Sequence, residues 1–169
     1  LKTAIARRQN ILIAGGASSG KTTLANALLA EIAATGDRLV ILEDTRELSA
    51  DAPDMVALRT APNVPLDRLV RSTLRLRPDR IIIGEVRGGE ALDLLKAWNT
   101  GHPGGVATVH ANSAASALTR LEQLIAERTR EIPQELIAEA IDLVVFMKRG
   151  VQGRRVEDIL RVEGLGPDG

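Results

Sequence analysis

The sequence contains no cysteine and no tyrosine, and it has only one tryptophan and one phenylalanine. Without cysteine the chain has no disulfide bonds, no thiolate zinc site and no cysteine nucleophile. His102 and His110 are the only histidines, which argues against a structural metal cage. The scarcity of aromatic rings argues against a surface that stacks on nucleic-acid bases. No apolar run approaches the roughly 20 residues that span a bilayer, and the first residues do not read as a signal peptide.

Charge of one sign is also lacking, since 22 basic residues balance 22 acidic ones. No global field therefore draws the chain toward nucleic acid or an anionic membrane, and any polyanion must be bound locally. The 169 residues, 44% of them hydrophobic, are enough for one domain with a sizeable core.

Short apolar runs alternate with amphipathic segments, a pattern typical of β/α units around a parallel sheet that is buried on both faces. The predicted strands are residues 11–14, 39–42, 81–83, 106–109 and 143–146, with a further edge strand at 55–58 and a strand or hairpin at 155–162. The predicted helices are residues 24–36, 66–76, 90–98, 114–126 and a short one from 133. We therefore predict an α/β fold, a mostly parallel sheet with helices on both faces.

The stretch "AGGASSGKTT" follows the first apolar run and precedes the first helical pattern. It matches the pattern G-x-x-x-x-G-K-[ST] in the strand-loop-helix setting that a phosphate-binding loop requires. Backbone N–H groups and the helix dipole favour phosphate there, the lysine reaches the β- and γ-phosphates, and the threonine hydroxyl binds Mg²⁺. The alternative is a glycine-rich turn with a serine helix cap. The predicted ATP-binding residues are Gly15, Gly16, Ala17, Ser18, Ser19, Gly20, Lys21, Thr22 and Thr23.

Acidic and imidazole side chains follow the next three predicted strands: Glu43 with Asp44, then Glu85, then His110. The carboxyl ends of parallel strands share one edge, so these groups should line the rim that carries the loop. One carboxylate is expected to hold Mg²⁺ through water and one to polarise the attacking water, and we place Glu85 beside Thr22 at the metal. The alternatives left open are a capping role for Glu43 or Asp44 and a hydrogen-bonded loop histidine at His110. Arg87 is either a surface charge or a partner of Glu43 or Glu85.

Four ordered segments now resemble a known family: "ILIAGGASSGKTTLANALL", "LVILEDTREL", "RPDRIIIGEVRGGEALDLLKAWNTGHPGG" and "VATVHANSAASALTRLEQL". They are similar to the Walker A, Asp box, Walker B and His box of the secretion and conjugation traffic ATPases, most closely the TrbB-type conjugal transfer ATPases. The resemblance implies a RecA-like P-loop ATPase domain. It implies catalytic roles for Glu43, Glu85, Arg87 and His110, with the His box spanning residues 102–110. Because the Walker B strand ends in Gly84-Glu85, it stays open whether Glu43 or Glu85 activates water.

The resemblance also implies a homohexameric ring at the cytoplasmic face of the inner membrane, which works with other secretion or conjugation components. The alternatives among enzymes are a pilus retraction or type II secretion ATPase, a small-molecule kinase and a nucleic-acid motor, although we expect no stable nucleic-acid binding. The non-enzymatic alternative is a nucleotide-gated interaction protein without turnover. We assign residues 1–163 to the ATPase domain and 164–169 to a flexible tail. The family's N-terminal domain is expected to be absent, which would weaken nucleotide binding and slow hydrolysis. Candidate arginine fingers are Arg75, Arg77 and Arg80.

Overall fold

The computed structural model describes residues 1–166, and seven strands of this part form one sheet. The strands are β1 Ile11–Gly15, β2 Leu39–Glu43, β3 Met55–Arg59, β4 Arg80–Ile83, β5 Val106–Val109, β6 Leu143–Gly150 and β7 Gly153–Arg161. Their spatial order is β3-β2-β4-β5-β1-β6-β7. All neighbouring strands from β3 to β6 are parallel, and β7 pairs antiparallel with β6. The predicted α/β fold with a mostly parallel sheet is confirmed.

The helices connect the strands and cover the sheet. They are α1 Lys2–Ala6, α2 Lys21–Ala33, α3 Leu66–Thr73, α4 Glu90–Asn99, α5 Ala114–Ala126 and α6 Gln134–Ala140, with a 3-10 turn at Leu74–Leu76 after α3. The bounds of α5 are those predicted from the sequence. Its start is fixed by Ser113, whose hydroxyl oxygen accepts the backbone N–H of Ser116, so an otherwise unsatisfied donor is paired.

The sheet is buried on both faces, which explains the continuous apolar runs of its central strands. On β1, Ile11 and Ile13 pack into a cluster with α1 and α2, whereas Leu12 and Ala14 pack into a second cluster with α3, α4, α5 and α6. Successive side chains of a strand point to opposite faces, so a strand covered on both sides needs apolar residues at every position. Only the edge strands β3 and β7 are largely exposed.

Two elements depart from the sequence prediction. The strand β6 continues four residues beyond its predicted end at Phe146, and together with β7 it forms a long hairpin. The short helix α1 was not predicted at all, because its five residues carry no side-chain cap that would mark a helix start. The predicted edge strand is confirmed as β3.

Arg80 is not an arginine finger, so that candidate was wrong. Its side chain is only 2% exposed, and its Nε donates to Asp37 Oδ2 at 2.6 Å. Nη1 and Nη2 donate to the backbone oxygens of Gly104 and Ile5, each at 3.2 Å. Because Arg80 begins β4, it lies at the edge of the sheet opposite to the phosphate loop. Arg75 and Arg77 are exposed, and for them the role stays a prediction.

Of the predicted tail, residues 164–166 follow β7 without regular structure, and residues 167–169 lie outside the described residues. Across residues 1–166, no helix has the combination of length and apolar composition that crossing a bilayer demands.

Candidate active site

The strand order brings the predicted site residues to one edge of the sheet. Strands β2, β4, β5 and β1 are consecutive neighbours and parallel, so their carboxyl ends lie side by side. Glu43 ends β2, Glu85 follows β4, His110 follows β5, and the phosphate loop follows β1. Ligands of open α/β sheets bind at this edge.

A cleft of about 260 Å³ opens along this edge. The phosphate loop and the start of α2 form one wall, and the loops after β2, β4 and β5 form the other. The residues that line it are Ala17, Ser18, Lys21, Thr22, Glu43, Asp44, Thr45, Glu47, Leu48, Gly84, Glu85, Arg87, Thr108 and His110. The structure therefore brings together the lysine, the threonine and the acidic groups that the sequence predicts to act together.

Lys21 is held inside the phosphate loop. Its side-chain nitrogen donates to the backbone oxygens of Gly15 at 3.0 Å and Gly16 at 3.1 Å, and the residue is only 8% exposed. Burial lowers the pKa of Lys21 by penalising the charged form, and the nearby charges of Glu85 and Glu47 partly oppose this. A phosphate group would supply the anionic partner that this buried ammonium lacks.

The helix that follows the loop is also prepared for an anion. Gly20 occupies the N-cap position of α2, where no side chain accepts a hydrogen bond from the first helical N–H groups. These groups have no partner within the helix, and they lie at the positive end of its dipole. Together with Lys21 they form a local positive site. Because the net charge of the chain is zero, a polyanion has to be bound by a local site of this kind.

The two carboxylate oxygens of Glu85 have different surroundings. Oε2 accepts a hydrogen bond from Arg87 Nε at 2.7 Å. Oε1 is buried and lies 2.7 Å from His110 Nε2. Within residues 1–166, Oε1 has no hydrogen-bond partner. An orphaned carboxylate oxygen is costly in a folded protein and points to a ligand or water that completes the site.

Arg87 is a partner of Glu85, one of the alternatives that the sequence left open, and it is also exposed. The hydrogen bond to Glu85 raises the pKa of Arg87, so its guanidinium stays charged. Its Nη1 also lies 3.5 Å from Asp44 Oδ2. The side chain is 63% exposed at the mouth of the cleft, so this charge can also meet a bound anion.

Glu43 lines the cleft, but its carboxylate already accepts hydrogen bonds from backbone N–H groups. Only 4% of the residue is exposed, and its Oε1 accepts the N–H groups of Glu47 at 2.9 Å and Leu48 at 2.8 Å. These hydrogen bonds fix the loop that follows β2, as expected if Glu43 caps the segment after its strand. A catalytic role for Glu43 stays a prediction.

Glu47 lies at the site, although sequence reasoning did not select it. Its Oε2 accepts a hydrogen bond from the hydroxyl of Thr22 at 3.0 Å. Asn26 on α2 completes the attachment, because its amide donates to the backbone oxygen of Glu47 and its side-chain oxygen accepts the N–H of Ser49. The signal available in the sequence was its position in "EDTRE", four residues after Glu43, but only the folded loop shows that it returns to α2.

The oxygen atoms around Thr22 suit Mg²⁺. Its hydroxyl and the carboxylates of Glu47 and Glu85 line one cleft, and Mg²⁺ prefers such hard oxygen ligands while it keeps several waters. Residues 1–166 contain no group of three or more histidine and carboxylate side chains arranged to hold a metal ion directly. The residues present therefore fit a magnesium ion that is held mainly by water and a phosphate chain.

Several predicted residues lie outside the main cleft. Ser19, Gly20 and Thr23 line a smaller neighbouring cleft, and the carbonyl groups of Gly15 and Gly16 serve Lys21. His102, the first residue of the predicted His box, is not at the site. Its Nδ1 lies 2.8 Å from the backbone oxygen of Pro78, before β4, at the opposite edge of the sheet.

Known proteins resemble this chain in sequence and in fold. Residues 1–151 match the family described as "Type II/IV secretion system protein". The conjugal transfer protein TrbB of Rhizobium radiobacter is 59% identical over 166 residues, which cover 97% of this chain and 51% of that protein. The type IV secretion system protein PtlH of Bordetella pertussis is 42% identical, with 98% of this chain and 53% of PtlH covered.

The crystal structure of the VirB11 ATPase from the Brucella suis type IV secretion system, in complex with sulphate, superposes with a TM-score of 0.88. Its identity to this chain is 34%, with 95% of this chain and 50% of that chain covered. The chain thus spans about half the length of the relatives that it matches. The resemblance to traffic ATPases, the P-loop fold and the assignment to an ATPase family are confirmed. This chain belongs to the type II/IV secretion system protein family, on its conjugal transfer and type IV secretion side.

Proposed function

We propose that the chain binds ATP with Mg²⁺ in the cleft at the carboxyl edge of the sheet and hydrolyses it to ADP and phosphate. The observation that carries this proposal is the meeting of Lys21 and Thr22 with Glu85, Arg87 and His110 around one cleft. A positive loop for the phosphate chain faces a carboxylate that can act on water, which is the arrangement phosphoryl transfer needs.

Each side chain has a task that follows from its position. Lys21 neutralises the β- and γ-phosphates, and the N–H groups at the start of α2 bind phosphate oxygens. Glu85 activates the attacking water through Oε1, which lacks a hydrogen-bond partner in the described part of the chain, while Arg87 fixes the carboxylate through Oε2. His110, next to Oε1, orients the water or contacts the γ-phosphate.

For the general base we propose Glu85, and not Glu43. Two backbone N–H groups already occupy one oxygen of Glu43, whereas Oε1 of Glu85 accepts no hydrogen bond within residues 1–166. Thr22, with Glu47 and Glu85 through water, would hold Mg²⁺. When bound, this ion would neutralise charge on the phosphate oxygens.

The work performed is proposed from the relatives. TrbB is a conjugal transfer protein and PtlH a type IV secretion system protein, so we propose that ATP hydrolysis powers pilus assembly or substrate transfer in such a system. The motor would be a homohexamer that acts with other components of the machinery, peripheral to the cytoplasmic face of the inner membrane. Stable nucleic-acid binding is not expected, because Trp98 is 2% exposed and Phe146 packs against the core, so neither ring offers a stacking surface.

The direct test is release of phosphate from ATP with Mg²⁺ and without any added acceptor, which also separates hydrolysis from a kinase reaction. Glu85→Gln keeps the shape of the side chain and removes the base, so we expect turnover to fall by about 10²-fold or more. Glu131→Gln is the matched control, since Glu131 is exposed and has no ion pair within residues 1–166. Equal turnover by the unsubstituted chain and Glu85→Gln would refute the proposal.

A further inference from the structure

Arg154 lies beside the phosphate loop, in a part of the fold that the proposed mechanism does not use. The strand β6 pairs with β1, so that Gly15 lies opposite Met147, and it then runs on to Gly150. The hairpin therefore extends past the edge of the sheet, and β7 returns with Arg154 opposite Arg149. Its position next to the loop thus follows from the length of β6.

The stem of Arg154 passes directly over the last glycine of the loop. A Cβ atom built on Gly20 would lie 3.1 Å from Cδ and 3.5 Å from Cβ of Arg154. Gly20 also has a φ of 101°, which residues with a side chain rarely adopt. A glycine at this position allows both the turn into α2 and the close approach of the arginine.

Arg154 and the loop enclose a second cleft of about 160 Å³. This cleft shares Ser18, Lys21 and Thr22 with the main cleft but contains none of its carboxylates. Its wall includes Ser19, whose hydroxyl is buried and has no hydrogen-bond partner in the part of the chain that the structure describes. An unpaired buried hydroxyl beside an arginine and a helix start points to an anionic ligand that is still to be supplied.

The neighbours of Arg154 leave its charge available. Arg155 donates to Glu157 at 2.6 Å, and Lys148 lies 3.3 Å from the same carboxylate. Arg154 forms no ion pair with any residue between 1 and 166, and its partner across the hairpin is Arg149, a like charge. Like charges held together without a counter-charge are stabilised when an anion binds between them and the loop.

We propose that Arg154 binds the α-phosphate of the nucleotide and so favours a nucleotide over a shorter phosphate chain. This inference rests on the proposed ATP site. Lys21 takes the β- and γ-phosphates, with the γ-phosphate toward Glu85 and His110. The α-phosphate, at the other end of the triphosphate, then lies toward Thr23 and the second cleft, which contains no carboxylates. The guanidinium at that cleft meets the α-phosphate in a charge-assisted hydrogen bond.

The test compares binding of ADP with binding of inorganic pyrophosphate by calorimetry, using the full 169-residue chain. For Arg154→Gln we expect roughly tenfold weaker binding of ADP, the size of one charge-assisted contact, and a change below about twofold for pyrophosphate. Arg154→Lys keeps the charge and should recover part of the ADP affinity. Arg155→Gln is the matched control, since Arg155 is the next residue of β7 and pairs with Glu157; it should alter neither affinity by more than about twofold.

The results separate this inference from the proposed function. ADP binding that is unchanged in Arg154→Gln, or an equal loss for ADP and pyrophosphate, would overturn the assignment of the α-phosphate to Arg154 while nucleotide binding itself stands. Loss of both ligands in Lys21→Ala supports the site as a whole. Failure of the unsubstituted chain to bind ADP would overturn both proposals.

Discussion

Replacing Arg80 by methionine tests whether this arginine stabilises the fold instead of acting in catalysis. The side chain is 2% exposed, and it donates to Asp37 at 2.6 Å and to two backbone oxygens at 3.2 Å. Methionine fills much of the space but leaves the Gly104 oxygen without its donor, at about 1–3 kcal/mol, whereas the Ile5 oxygen keeps the backbone N–H of Arg8 at 3.0 Å. Asp37 keeps a second partner, Arg8, at 2.8 Å, which limits the loss on its side.

From these contacts we expect Arg80→Met to lower the free energy of unfolding by about 3–5 kcal/mol, the usual cost of breaking a buried ion pair. Urea denaturation measures it, with the buried Trp98 as the fluorescent reporter. Arg75→Met is the matched control, because Arg75 is exposed, and it should change the free energy by less than about 0.5 kcal/mol. ATP turnover per folded molecule should stay unchanged in Arg80→Met. A variant that keeps full stability and loses turnover would refute the reasoning.

Three further predictions follow from the contacts described. Glu47→Gln weakens the group that faces the Thr22 hydroxyl, so the Mg²⁺ concentration for half-maximal ATP turnover should rise by about tenfold; an unchanged titration would remove Glu47 from the metal site. Burial raises the pKa of Asp37, but the hydrogen bond and charge of Arg80 outweigh this effect and leave the pKa below 3.8. The stabilisation by Asp37 is therefore present above that pH and is lost as the pH falls through the pKa of the folded state. In Asp37→Asn, the urea midpoint should depend less on pH in the acid range. In Gly105→Ala the new Cβ would collide with the indole nitrogen of Trp98 and lie 2.5 Å from the Ile81 backbone oxygen. The free energy of unfolding should therefore fall by about 1–3 kcal/mol. An unchanged urea midpoint would show that the core can shift to make room.

The central part of the fold could be predicted because burial on both faces of the sheet leaves a direct mark in the sequence. Strand β1 is an uninterrupted apolar run, β5 is broken only by Thr108, and the start of α5 carries its own capping signal. The hairpin of β6 and β7 could not be read in the same way. Its outer half carries exposed polar residues, so no alternation of apolar and polar residues marks the strands.

The same distinction applies to the site. Lys21 could be found from the pattern of the phosphate loop, and Glu85 and His110 because each closely follows the end of a strand, where topology determines the edge that they share. Glu47 and Arg154 reach that edge through a returning loop and a hairpin, whose paths depend on contacts such as those of Glu43 with the backbone. Spacing in a sequence does not encode such paths.

The surroundings of Glu85 show how the fold assigns different tasks to similar residues at one edge. Arg87 donates to one carboxylate oxygen of Glu85 and His110 lies beside the other, buried oxygen, whereas backbone N–H groups of the following loop donate to Glu43. If the loop after β2 opened, Glu43 would lose these donors and Glu47 would leave Thr22. The contact of Glu47 with the Thr22 hydroxyl therefore couples the position of this loop to the metal site that we propose at Thr22.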